Sequence, residues 1–437
     1  MAFPWYALCV VFLLPFVDWR NPFRLLHLDL LVLLVVGLRP LRTFLVGGAV
    51  SLRAVGLTVA CLLYLLGRLV WSALHPRKSH EPLVPFVPVA WLAVGVVLLT
   101  AFRVSYVVTD HARVIDEGQA SVIGADRIAH GRDLYGGGLG RIVFGGDTYG
   151  PVTYLAYVPF EQAFPVSRHD AAPYAAPTAA PAAAMTFDLL TIFALLLMGR
   201  RLRPGREGKA LGVALAYAWA SYPYSFLVLR DTFNDALLAL LILGALFAAS
   251  RPVGRGALTA LAAATKFAPG VLAPLFATGT GERRLRSSLL FAAAFVVVSL
   301  LVFLPFVPSG GIHELYDRTI GFQRARGAWM TIWGSVPGRG DIPGRDWLQP
   351  TVQVAALCLA LLFAVVPRRK TVTQLAALGA ALLIASQLAA TNWAPNYLVW
   401  FAPLAFIGLF AAYDTTSSGR PLPLRSALSA SGRARSG

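Results

Sequence analysis

Residues 109–138 read TDHARVIDEGQASVIGADRIAHGRDLYGGG, and residues 141–160 read RIVFGGDTYGPVTYLAYVPF. This is the first long polar interval in a chain otherwise made of apolar runs. Asp110, Asp116, Glu117, Asp126, Asp133 and Asp147 all fall inside it. The runs on either side, near 87–103 and 185–199, have the length and the near absence of charge of membrane spans. A chain that keeps its carboxylates between such runs does its chemistry, or its binding, at a membrane face.

Composition agrees with that reading. Of the 437 residues 57% are hydrophobic, and the mean hydropathy of +0.65 exceeds that of an ordinary soluble domain. Several runs reach or approach the roughly 20 residues that cross about 30 Å of hydrocarbon. The expected fold class is an all-α polytopic membrane protein. The net charge of +17 does not point to nucleic acid, because the basic residues sit in short loops: RRLRPGREGK (200–209), GERRLR (281–286) and PRRK (367–370). Cytoplasmic loops collect Lys and Arg in this way, so the charge records orientation. Cys9, Cys61 and Cys358 lie within apolar runs at no metal-ligand spacing and read as small buried side chains. Residues 1–17 lack a basic leader and a small-residue cleavage site, so they read as a retained span.

The order of charge fixes which face is which. The interval 104–184 holds five arginines against eight acids, and one span separates it from the basic cluster at 200–209. The acidic loop is therefore expected outside the cytoplasm. A hairpin follows, 210–229 and 235–250, joined by RDTFN (230–234). The apolar stretch 257–277 then lies between two basic segments and carries Lys266 and Pro269 near its middle. A broken or re-entrant helix and a full crossing that breaks the charge rule both fit it. A second long loop, 307–350, precedes spans near 351–366, 374–389 and 397–412. The expectation is about 11–12 transmembrane helices with two large extracytoplasmic loops. Residues 1–82 read as an N-terminal transmembrane extension. Residues 83–412 form the core, with the loops 104–184 and 307–350. The segment 413–437 reads as a disordered, basic cytoplasmic tail.

A loop acid can deprotonate an acceptor hydroxyl, and cations nearby can hold an anionic lipid head group. The residues alone do not choose among six acids. The run Asp116-Glu117-Gly118 … Gly131-Arg132-Asp133-Leu134-Tyr135 resembles the first extracytoplasmic loop of glycosyltransferase family 87, a family of GT-C type. Tyr149-Gly150-Pro151-Val152-Thr153-Tyr154 is similar to the family's Tyr-x-Pro-Leu-x-Tyr step. Asn234-Asp235-Ala236-Leu237, Thr265-Lys266-Phe267-Ala268-Pro269 and Asn396-Tyr397-Leu398-Val399-Trp400-Phe401 also look like family segments. Order and spacing over roughly 85–412 carry the resemblance.

The resemblance implies a GT-C-like bundle that moves a sugar, mannose- or arabinose-like, from a polyprenyl-phosphate donor to a hydroxyl of a cell-envelope glycolipid or glycan. Asp116 matches the family's base, with Glu117 and Asp110 as alternatives. Lys266, Arg230, His313, Arg318 and Arg324 are candidates for the donor phosphate. Tyr135, Tyr149, Tyr154, Asp188, Asn234, Asp235, Trp393 and Asn396 are candidates for substrate contact. No cofactor and no resident metal is expected, although a divalent cation among the carboxylates is the alternative. Partners would be membrane lipids, the lipid-linked donor and the acceptor, at the plasma membrane, with the site facing outward. A lipid or polysaccharide transporter and a non-catalytic scaffold are the rival readings. A transporter would show repeated halves and charges near mid-membrane, whereas these acids sit in loops. For Lys266, snorkelling to the cytoplasmic interface competes with a functional role.

Overall fold

A computed structural model describes residues 3–46, 51–109, 111–137, 139, 146–166, 178–280, 285–334 and 344–415. Three helices open the chain: α1 (Phe3–Leu13), α2 (Leu25–Val46) and α3 (Leu52–Leu74). α4 (Val89–Val108) leads into the acidic interval, where α5 (Asp116–Ala129), α6 (Pro151–Leu155) and α7 (Val158–Ala163) are short. α8 (Ala179–Leu202), α9 (Gly205–Ser221), α10 (Pro223–Arg230) and α11 (Asp235–Phe247) follow. Next come α12 (Pro252–Ala263), α13 (Ala273–Thr278) and α14 (Leu285–Phe303). The second loop forms α15 (Gly311–Tyr316) and α16 (Phe322–Ala325), and the chain ends with α17 (Arg345–Val365), α18 (Val372–Ala389) and α19 (Leu398–Phe410).

Local chemistry sets several of these boundaries. Thr371 and Gln374 form a reciprocal capping box at the start of α18, and Ser51 caps α3. Pro151, Pro223 and Pro252 stand at first-turn positions, where the missing N–H costs nothing. Among the described residues there are no strands, only isolated bridges joining Pro82 to Asp414 and Trp329 to Asn392.

The protein is an all-α polytopic membrane protein. Six described helices are long and apolar enough to cross a membrane: Leu52–Leu74, Val89–Val108, Ala179–Leu202, Leu285–Phe306, Arg345–Val365 and Val372–Ala389. Shorter apolar helices span Trp5–Phe16, Asp235–Phe247, Ala268–Thr278 and Pro395–Phe410. Outward-facing positions on α14 and α17 are apolar, with Leu301 67% and Leu361 60% exposed. Such a surface suits lipid and not water. α18 packs between α3 and α19, and α8 packs on α9 and α11. Residues of α1 to α3, such as Phe12, Leu26 and Leu65, join Leu382 and Phe406 in one continuous core. The helices α1, α2 and α3 therefore pack as part of the bundle and not beside it.

Hydrogen bonds sort the chain into two ends. At the basic end, Arg203 donates to the Ala411 and Tyr413 carbonyls, Arg201 to Ser250, and Gln374 to the Ala73 carbonyl. At the opposite end lie the acidic interval, the 230–235 turn and the second loop. The stretch 257–277 is a hairpin broken at Lys266. α12 rises from the basic end for 12 residues, about 18 Å at 1.5 Å per residue. The chain turns at Lys266 and descends through a 3-10 turn, Ala268–Leu272, into α13. Arg255, near the foot of α12, donates to the Phe276 and Ala277 carbonyls at the foot of α13. Both feet thus share the basic end, and the charge rule is kept.

One buried brace stiffens the bundle. Arg103 of α4 is 1% exposed and donates to both oxygens of Asp188 at 2.9 and 3.0 Å. It also donates to the Trp219 and Ala220 carbonyls and the Ser225 hydroxyl, which fixes the break between α9 and α10. Asp188, expected at the substrate, is instead consumed by this ion pair and by the Trp219 indole.

Candidate active site

The hairpin tip meets α5 and α11 at the acidic end. Lys266 Nζ donates to Glu117 Oε2 at 2.9 Å and to Asp235 Oδ1 at 2.7 Å. Three rings surround the ammonium, with centroids at 5.4 Å for Tyr149, 5.7 Å for Tyr397 and 5.6 Å for Trp400. Asp235 also accepts from Asn396 Nδ2 at 2.8 Å and from the Trp400 indole. Two carboxylates thus share one cation, which leaves the group net negative. Lys266 is 7% exposed, so snorkelling is ruled out: its ammonium turns inward to the acids.

Backbone contacts hold this assembly together. The Gly150 N–H donates to the Thr265 carbonyl, the Val152 N–H to the Ala264 carbonyl, and Thr153 Oγ1 to the Thr265 carbonyl. A methyl group on Gly150 would overlap the Ala264 carbonyl. Thr232, in the left-handed region at φ 48, lies under Gly118, where α5 crosses the 230–235 turn. Gly150→Ala is therefore expected to push the 148–157 loop off the hairpin tip, costing about 1–3 kcal/mol by overpacking. A fall in thermal midpoint together with a loss of activity would show it; an unchanged midpoint would mean that the loop and tip are not locked.

Two cavities flank the assembly. One, of about 590 Å³, is lined by Asp116, Glu117, Thr148, Tyr149, Asn392 and Asn396, with Phe44 of α2 and Trp329 on its walls. The other, of about 380 Å³, is lined by Lys266, Gln323, Arg324, Arg326, Gln353 and Gln387. Tyr149, Tyr397, Arg326 and Asn392 border both. Asp116 and Glu117 therefore face one chamber and Lys266 and Arg324 the other, with Arg326 and the rings of Tyr149 and Tyr397 on the wall between them.

Burial raises the Asp116 carboxyl above its ordinary range, partly offset by the backbone N–H of Glu117 and by the Lys266 and Arg326 charges. Glu117 is pushed further, up to about 7, by burial above all; Lys266 pulls it down while Asp235 and Asp116 push it up. Among the described residues no three His, Cys, Asp or Glu side chains gather as a metal-holding group.

The other candidates from the sequence separate clearly. Arg324 lines the second cavity and bonds to the Tyr316 hydroxyl at 3.1 Å. Arg230, His313 and Arg318 line neither cavity. Arg230 pairs with Asp231, His313 with Asp317, and Arg318 lies near Asp147 and Glu314. Tyr135 donates to the Tyr149 carbonyl and Tyr154 to the Gly146 carbonyl, so both buttress the loop and do not face a ligand. Asn234 bonds to Ser121 behind α5, and Trp393 bonds to Gln387. Asp110 and the tail from residue 416 onward lie outside the described residues. Sequence reasoning missed Arg326, Gln387 and Asn392. It also quoted Tyr397 and Trp400 without assigning them, although both stand in the same run as Asn396.

The family model of glycosyltransferase family 87 matches residues 148–391, more than half of the chain. The match takes in the hairpin, Asp235, Arg324 and Arg326, and it is narrower than the 85–412 expected from the motifs. Asp116, Glu117 and Asn396 fall outside it. Among curated proteins none matches the chain.

Proposed function

The chain belongs to glycosyltransferase family 87 and is a membrane glycosyltransferase, and from that premise we propose that it transfers a sugar from a polyprenyl-phosphate donor to a hydroxyl of a cell-envelope glycolipid or glycan. The observation that carries this reading is the pair of chambers on either side of the Lys266 assembly, one holding the carboxylates Asp116 and Glu117 and the other Lys266 and Arg324, with Arg326 on the wall they share. The arginine-lined chamber, with Arg324 and Arg326, suits a phosphate that gains charge as it leaves. The carboxylate-lined chamber suits an incoming alcohol.

In the reaction the acceptor oxygen bonds to the sugar's anomeric carbon. The bond from that carbon to the phosphate oxygen breaks, and polyprenyl phosphate departs with the electron pair. The acceptor proton passes to a carboxylate. Asp116 is the better base, because Glu117 is bound to Lys266 while Asp116 faces the chamber without an ammonium on its oxygens. Lys266, with its charge spent on Glu117 and Asp235, serves to hold the carboxylates in place, and the phosphate falls to the arginines. The acidic end is assigned to the extracytoplasmic side of the plasma membrane by the positive-inside rule. Incubating the purified protein with a polyprenyl-phosphate sugar and an acceptor glycan tests the reading. Release of polyprenyl phosphate supports it, and none with any such donor sinks it.

The acid shifts predict a pH profile. Transfer is expected to fall as pH drops through about 7, where Glu117 takes up a proton and its ion pair with Lys266 beside the reacting centre is lost. Glu117→Gln, a permanent stand-in for the protonated acid, should abolish that limb and hold the rate near its low-pH level across the range. Stability runs the other way. The folded state holds the Glu117 proton more tightly than the unfolded chain does, so this group's contribution is full below pH 4.5 and is lost as pH rises to about 7. Initial rates and thermal midpoints from about pH 5 to about pH 9 would separate the two; a wild-type limb that Glu117→Gln leaves in place would refute the assignment.

A further inference from the structure

Asn396 is 1% exposed and lines the carboxylate-walled cavity. Its Nδ2 donates to Asp235 Oδ2 at 2.8 Å. A carboxylate only accepts, so that bond fixes which way the amide points. Asn396 Oδ1 is thereby committed as an acceptor, and it is buried with no donor. Asn392, which borders both cavities, has the complementary deficit: its Nδ2 is buried with no acceptor. The neighbouring amide of Gln387 shows the contrast, since it donates to the Tyr397 carbonyl and accepts from the Trp393 indole. Buried polar groups are ordinarily paired, and two left open on the wall of one cavity mark a ligand that supplies both a donor and an acceptor.

We propose that Asn392 and Asn396 form a sugar-hydroxyl subsite. The Asn396 oxygen accepts from one hydroxyl of the bound sugar and the Asn392 amide donates to another. A hydroxyl both donates and accepts, so neighbouring hydroxyls on one ring satisfy the pair, whereas a phosphate or a carboxylate has no donor for Asn396. The subsite rests on the glycosyltransferase reading for its place in catalysis, and the sugar it holds is either the one transferred or the acceptor's. Asn392 and Asn396 are positioning residues for that ring. Neither takes the proton.

The test uses the full chain purified in detergent. Saturation-transfer NMR with methyl mannopyranoside and methyl arabinofuranoside measures binding without turnover. The wild type is expected to bind at least one of them. Removing single ring hydroxyls from that glycoside should weaken binding by at least roughly tenfold at the recognised positions, and Asn392→Leu and Asn396→Leu should weaken the parent glycoside similarly. Asn396→Leu also strips a bond from Asp235, so the deoxyglycosides on unaltered protein carry the test if that variant does not fold. No glycoside binding, equal binding of every deoxy form, or full binding by Asn392→Leu overturns the proposal. In transfer assays a rise in donor KM assigns the subsite to the transferred sugar, and a rise in acceptor KM assigns it to the acceptor. Amide-dependent glycoside binding with no release of polyprenyl phosphate from any lipid-linked donor would keep the subsite and reject the donor assignment.

Discussion

Asp116→Asn is expected to lower the rate of sugar transfer by a factor of roughly 10²–10⁴, the usual weight of a positioned general base. The substitution preserves shape and one accepting oxygen but removes the proton acceptor. Asp116 stands in the first turn of α5, but its burial disfavours the negative charge. An amide there should cost little stability, and donor KM should hold while kcat falls. The pattern separates a base from a binding residue, because losing ground-state contacts would raise KM instead. Full retained activity would remove Asp116 from the reaction and turn attention to Glu117.

Lys266→Met carries the second large effect, and it acts on stability as well as on rate. The lysine is the shared cation of Glu117 and Asp235, whose side chains are 11% and 0% exposed. Removing it leaves two carboxylates facing each other in a site walled by Tyr149, Tyr397 and Trp400. Breaking a buried pair from one side typically costs about 3–5 kcal/mol. A large drop in thermal midpoint and near-complete loss of transfer are therefore expected. Adding Asp235→Asn should recover part of the midpoint, because one uncompensated charge disappears, without restoring the rate. Lys266→Arg should not substitute, since a planar guanidinium fork does not fill the place of a compact ammonium among three rings. A Lys266→Met protein as stable as the wild type would sink the account of the assembly.

The membrane class was legible in the sequence because hydrocarbon imposes length and apolarity on every span, and those are properties of a single stretch. That the basic loops share one end was legible too, through the basic residues at 200–209 and 367–370, which meet the feet of the bundle. What failed to show was anything decided by pairing across the fold. Asp188 reads as a loop-end acid until Arg103, 85 residues away, is seen to hold it. Arg230, His313 and Arg318 are cations at the right end of the molecule, yet each lies beside an acid and away from both chambers. Arg326 went unnoticed for the converse reason: nothing in GFQRARGAWM distinguishes it from Arg324 until the chambers are in view. Lys266 stood out as a charge inside an apolar stretch, and the hairpin alternative was open. Its height was not, because one helix rising about 18 Å from the basic end can reach the acids that the charge rule puts on the far face.

The hairpin has one further implication. Each residue of α12 lifts the chain about 1.5 Å and swings it about 100°, so the limb works as a ruler cut to a single length. With its foot clamped by Arg255 and its tip bound to the 148–157 loop, neither end can slide to absorb an error. A single inserted or deleted residue between the two would swing the ammonium about 100° away from its carboxylates, and the enzyme would lose its electrostatic keystone to a change made far below it.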